Sequence, residues 1–272
     1  MCKFLIFVAC FLMQYSQIGA QTLPKISTEN KKDSIVPAIH ILVALCDNEY
    51  QGIVPVPAKI GIGNQPNSNL YWGCGYGIKS YFKKSSEWRF IKKLHLNDSI
   101  IKDSIILERL LFQHISSGQY LLADAYNGRY IKNCTRDFIF SVSGQLKDTI
   151  HYNQKVIGLN GHANLIAYIG HDGLMDFDLT DSVYNTDGRK RDCIILACRS
   201  RDYFKPFITK AGGNALVWTT GLMCPEAYTV HDAIVAYCKK QSHQVIRNKA
   251  AEAYSKYQKC SLKAAMNLLV GN

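Results

Sequence analysis

Two short apolar runs, each stopping at a reactive residue, limit what this chain can fold into. One is Asn164-Leu-Ile-Ala-Tyr-Ile-Gly170, followed by His171, Asp172 and Gly173. The other is Cys193-Ile-Ile-Leu-Ala197, followed by Cys198, Arg199 and Ser200. A run this short, apolar throughout, reads as a strand buried on both faces, the kind found in parallel sheets. In an open parallel sheet, functional groups sit just past the carboxyl ends of the strands. Side by side, these two strands put His171 and Cys198 on one edge. A thiol with a base beside it is the arrangement that covalent acyl transfer needs. Parallel neighbours require a crossover of roughly a dozen residues or more, and residues 172–192 supply it. Within that crossover Asp176-Phe-Asp-Leu179 alternates like a small strand, and Asn185-Thr-Asp-Gly188 is turn-like.

The rest of the chain repeats this alternation of strand and helix. Ile39 to Leu45 is a buried strand ending at Cys46-Asp47-Asn48, followed by a Gly-, Pro- and Asn-rich loop from Gln51 to Asn69. Leu70 to Phe82 reads as a helix with a glycine-rich start. Trp88 to Leu94 and Ile100 to Phe112 mix strand and helix signals. Tyr120 to Asp124 is a strand. Arg129 to Ser143 carries Ile131, Cys134, Phe138 and Val142 at helical spacing. Asp202 to Ala211 reads as a helix closed by Gly212-Gly213, and Ala215 to Trp218 as a strand ending at Thr219-Thr220. Pro225 to Lys240, Val245 to Gln258 and Leu262 to Val270 read as helices. Strands alternating with helices predict a doubly wound α/β sheet. No internal repeat or linker divides residues 37–272, so one domain is expected there.

Residues 1–20 have the layout of a secretory signal. Lys3 gives the positive start, Phe4 to Met13 the apolar centre, and Ile18-Gly19-Ala20 a small-residue cleavage site before Gln21. A lipoprotein signal ending at Cys10 would leave an apolar centre of only six residues, Phe4 to Ala9, and is disfavoured. Residues 21–36 read as a loose polar leader. No later segment is apolar enough to span a bilayer, so the expectation is an exported protein without stable membrane insertion. With 47% apolar residues the 272-residue chain can bury a sizeable core. Its net charge is +11, or +10 without Lys3. The basic residues are scattered, with no long stripe interleaved with aromatics, so no nucleic-acid partner is expected.

Of ten cysteines, Cys2 and Cys10 fall in the signal and eight remain. No Cys-x-x-Cys occurs, so no structural zinc site is expected. No P-loop or GxGxxG occurs either, and Gly61-Ile-Gly63 is only a loop fragment; no cofactor is expected. Asn97-Asp-Ser99 and Asn133-Cys-Thr135 match glycosylation acceptors. Cys193 lies an odd step from Cys198, so it should point into a layer rather than toward the site. His162 precedes its strand and reads as a loop residue. A second candidate nucleophile is Cys74, in Leu70-Tyr-Trp-Gly-Cys74-Gly-Tyr-Gly77 at the glycine-rich helix start, where N–H groups lower a thiol pKa. With His162 or His171 downstream its order would be Cys then His, as in papain-like amidases, although Gly75 stands where that family has an aromatic.

Tyr168-Ile-Gly-His171 with Gly173, followed by Ile194-Ile-Leu-Ala-Cys198-Arg-Ser200, resembles the caspase-like cysteine peptidases. That superfamily includes caspases, legumains, clostripain and gingipains. The histidine block is closest to the gingipain pattern, and Ala215-Leu-Val-Trp-Thr-Thr220 resembles the strand that lines the legumain substrate pocket. The family usually has Gly directly after His; here Asp172 intervenes before Gly173. The resemblance implies a three-layer caspase-like α/β fold over roughly residues 37–240. It implies Cys198 as nucleophile, His171 as general base or acid, and backbone N–H groups of Cys198 and Gly173 as the oxyanion hole. It further implies a polypeptide substrate whose residue before the scissile bond meets Asp47, Asn48, Thr219 and Thr220. Asp47 there would favour a basic residue. Two alternatives stay open: a catalytically silent binding protein on this fold, and the amidase using Cys74.

Overall fold

The computed structural model describes residues 34–95 and 105–272; the signal-like segment and Asn97 lie outside them. The apolar runs form the strands they predict, each buried along its length. In chain order the first strands are β1 (Val36–Pro37), β2 (Ile39–Ala44), β3 (Trp88–Leu94), β4 (Ile106–His114) and β5 (Tyr120–Tyr126). Then come β6 (Lys147–Tyr152), β7 (Lys155–Asn160), β8 (Leu165–Ile169), β9 (Asp192–Leu196), β10 (Asn214–Thr219) and β11 (Leu269–Val270). The helices are α1 (Ile78–Lys84), α2 (Ile131–Ser143), α3 (Ser200–Ala211), α4 (Ala227–Cys238), α5 (His243–Gln258) and α6 (Leu262–Leu268). Asp33–Asn272 forms one compact unit.

The main sheet has eight strands in the order β11-β10-β9-β8-β2-β5-β4-β3. The run from β10 to β5 is parallel, and antiparallel strands close both edges. Alternate side chains feed opposite layers, because successive Cβ atoms point to opposite faces. Leu42, Ala44, Tyr168 and Ile195 pack with α2 and α3. Ile41, Val43, Ile169 and Leu196 pack with α1, α4 and α5. The result is a three-layer α/β fold. Read by chain position, the parallel strands run second, first, third, fourth, fifth. The order reverses between β2 and β8, the place where such sheets open a crevice beyond the strand ends.

Several expectations change. Val36, the last residue of the expected loose leader, sits in β1, which pairs in parallel with β7. β1, β7 and β6 form a small second sheet covering Ala38, Leu111, Tyr120 and Leu122. The helix expected from Leu70 starts only at Ile78: residues 70–77 form turns and bends, and Gly77, the N-cap, lies close against the Trp72 backbone, where a Cβ would come within 2.4 Å of the carbonyl carbon. No strand forms at Asp176–Leu179. The last helix stops at Leu268, and Leu269–Val270 pair antiparallel with the end of β10. The mixed signals at Trp88–Leu94 resolve as an antiparallel edge strand against β4.

Candidate active site

Strands β8 and β9 are paired in parallel through Ile169 and Leu196, and His171 and Cys198 each lie two residues beyond that pair. Each is held there by local structure. Gly170 has φ +145°, and a Cβ on it would lie 2.7 Å from the Ala44 carbonyl oxygen, so only glycine lets the end of β8 press against the end of β2. The Gly170 N–H continues the ladder to the Leu196 carbonyl at 3.2 Å. The Tyr168 hydroxyl then donates to the His171 carbonyl at 2.7 Å. The imidazole is 7% exposed, and its Nε2 lies 2.8 Å from Asp176 Oδ2. The same carboxylate oxygen accepts the Gly52 N–H at 2.9 Å.

Asp172 starts a single 3-10 turn, its Oδ1 accepting the Leu174 N–H at 3.0 Å. Its Oδ2 is buried with no partner among the described residues. Burial pushes the Asp172 carboxyl up to about 7; the Leu174 N–H opposes the rise and the Asp176 charge adds to it.

Cys198 stands on a strand-to-helix turn. Arg199 takes the left-handed conformation (φ 50°) as the N-cap of α3. Ser200, fully buried, fastens the turn: its hydroxyl donates to the Ile195 carbonyl at 2.9 Å, and its N–H donates to Thr219 Oγ1 at 3.0 Å. The Thr219 N–H returns a bond to Ser200 Oγ at 3.0 Å, and the Thr219 hydroxyl donates to the Ala197 carbonyl. The half-buried Cys198 thiol lies 3.5 Å from the Met223 carbonyl and accepts the Met223 N–H at 3.4 Å. Cys193 packs in the α2–α3 layer with Ile195, the opposite side from the Tyr71 and Cys224 neighbours of Cys198.

The expected substrate-pocket residues share this edge but are largely occupied. Thr219 is fully buried in the clasp just described. Thr220 donates from its hydroxyl to the Asn267 carbonyl at 2.9 Å and so braces α6. The Asn48 amide bonds both ways with Val56, at 2.8 and 3.0 Å, closing the loop after β2. Asp47 Oδ1 accepts the N–H groups of Glu49 and Tyr50 at 3.0 and 3.3 Å. Asp47 and Asn48 do line a cavity of about 710 Å³, together with Tyr50, Gly63, Arg129 and Tyr130. That cavity lies over the ends of β2 and β5, and neither His171 nor Cys198 lines it. Gly173 is buried, with its Cα side against Phe177 and Thr135. Among the described residues the backbone N–H groups of Cys198, Asp172 and Gly173 have no hydrogen-bond acceptor.

Most of the other thiols are held protonated by their surroundings. Burial holds Cys46 up at about 11 and Cys224 up at about 12, and raises Cys134, Cys193 and Cys238 as well. Cys74 is raised by desolvation and by Glu226, against the pull of Lys59, and its thiol bonds the Ser68 carbonyl at 3.2 Å. It precedes the α1 N-cap, Gly77, by three residues and so misses the helix start expected for it. His162 sits before β8, at the amino edge of the sheet. The Thr135 side chain of the Asn133 acceptor match is fully buried in α2. No cluster of metal-ligating side chains is found among the described residues, and no helix among them is long and apolar enough to cross a membrane.

Asp176, Gly52, Met223 and the Ser200–Thr219 clasp did not stand out in the sequence. Only Asp176 left a trace there, as a carboxylate five residues beyond the histidine. Comparison with protein-family models, curated proteins and solved structures finds no match. The family resemblance rests on the quoted motifs alone.

Proposed function

We propose that this chain is an exported cysteine endopeptidase of the caspase-like type, with Cys198 as nucleophile and His171 as its base. One observation carries the reading: both residues lie two positions beyond the paired Ile169 and Leu196 of adjacent parallel strands. In this mechanism His171 takes the Cys198 proton and the sulfur bonds to the scissile carbonyl carbon. The oxygen gains negative charge at the Cys198 N–H, with an N–H of the Asp172–Gly173 turn as second donor. Such donors contribute a few kcal/mol of barrier lowering each. Collapse breaks the C–N bond, and the amine leaves with the proton from His171. Water, deprotonated by His171, then cleaves the thioester and regenerates the thiol. Asp47 lines the cavity on the same sheet edge, over the ends of β2 and β5, where a basic side chain of the substrate would find a carboxylate.

A peptidyl electrophile with Arg at its reactive end, followed by peptide mapping, tests this. The expected result is one adduct, at Cys198, that forms faster than with an Ala-bearing probe and is lost in Cys198→Ala. A single adduct at Cys74 would instead select the papain-like reading. The position of the 710 Å³ cavity, away from both residues, favours a second reading. In it the chain binds peptides there without cleaving them. Probe binding without any adduct or turnover would select that one.

A further inference from the structure

We propose that Asp176 is a positioning residue for His171, and that Gly52 holds Asp176 in place for that task. The inference rests on His171 acting as the base. An imidazole base must present one unprotonated nitrogen to its thiol, and which nitrogen is free is set by the bond the other makes. Here Nε2 lies 2.8 Å from the Asp176 carboxylate. A carboxylate only accepts, so the proton sits on Nε2 and Nδ1 is the basic nitrogen. The carboxylate is itself oriented. The Gly52 N–H donates at 2.9 Å to the same Oδ2 that meets the ring. A Cβ on Gly52 would lie 2.4 Å from Asp176 Oδ1, so a larger residue at 52 displaces the carboxylate. The bond joins the loop after β2 to the loop after β8, on either side of the point where strand order reverses. The segment that begins at the Asp47 cavity therefore also sets the direction of the base.

Nitrogen-15 NMR of labelled histidine reads the tautomer without any need for turnover, and iodoacetamide reads Cys198 reactivity in the same samples. Wild type should show His171 as the Nε2–H form. Asp176→Asn keeps an acceptor oxygen and should keep that form. Asp176→Ala and Gly52→Ala should give mixed tautomers, and Cys198 alkylation at neutral pH should fall about 10-fold or more. Circular dichroism confirms that each variant is folded; if Asp176→Ala does not fold, Gly52→Ala carries the test with the carboxylate still present. Unchanged His171 resonances in either folded alanine variant would overturn the assignment. Altered tautomers with unchanged alkylation would uphold the positioning of His171 and overturn the dyad it serves.

Discussion

Asp172 is the residue whose environment makes the sharpest demand. Its carboxyl is fully buried beside His171, half satisfied by one N–H, and driven up to about 7, chiefly by desolvation. In the unfolded chain it titrates at the ordinary carboxylate value of about 4. A folded value above the unfolded one means the protonated form is favoured in the native state. Its contribution is therefore complete below about pH 4 and is lost as pH rises toward 7. Asp172→Asn removes this dependence. Thermal unfolding of the pair should diverge by about 2 to 3 kcal/mol between pH 5 and pH 8, with the variant gaining at the alkaline end. Parallel pH profiles for wild type and variant would place the cause of any difference elsewhere. The sequence showed only that Asp172 stands where the resembled family has glycine. It could not show that the side chain turns inward and leaves the following glycine, Gly173, in the packing against Phe177.

At the scale of elements, the runs buried on both faces were legible because nothing polar interrupts them, and β2, β8, β9 and β10 fall where those runs are. The hairpin of β6 and β7 was not. In β6 the apolar Ile150 and Tyr152 are only partly buried and stand among Lys147, Asp148 and His151, and in β7 the apolar run Val156-Ile-Gly-Leu159 is short and interrupted by a glycine. The edge strand β3 was ambiguous for the same reason, with Lys92 and Lys93 turned to solvent. Both candidate catalytic residues were legible because each ends a buried run. The clasp between Ser200 and Thr219 was not, because it joins residues 19 apart through hydroxyls that could equally have faced a substrate. The junction of β8 with β2 is the most exacting of these joints. Gly170→Ala forces a side chain into a positive-φ position and against the Ala44 carbonyl. A cost of at least about 1 to 3 kcal/mol is expected in denaturant titration, together with displaced His171 resonances. A variant as stable as wild type would mean that the strand ends separate at no cost.

Across the whole molecule, the sheet is tied to its small neighbour by a buried ionic group. Asp124 on β5 accepts two bonds of 2.7 Å from Arg109 on β4 and lies 3.0 Å from His40 Nε2 on β2. His40 Nδ1 in turn accepts the Asn160 N–H of β7 at 3.1 Å. Burial alone would raise Asp124, but the Arg109 guanidinium and His40 outweigh it and hold the carboxyl well below the usual range. The stability this group adds is present at neutral pH and is lost in acid, as pH falls below the ordinary carboxylate value toward the depressed one. Asp124→Ala leaves the buried Arg109 guanidinium with only its longer 3.5 Å contact to Asp148, and about 3 to 5 kcal/mol should be lost. A denaturation midpoint within error of wild type would contradict that role. The small sheet has an orientational consequence too. β1 enters beside β7 at the rear of the main sheet, while His171 and Cys198 open at the front. A label placed on β1 would therefore report on the amino ends of the parallel strands, a full strand length from His171 and Cys198.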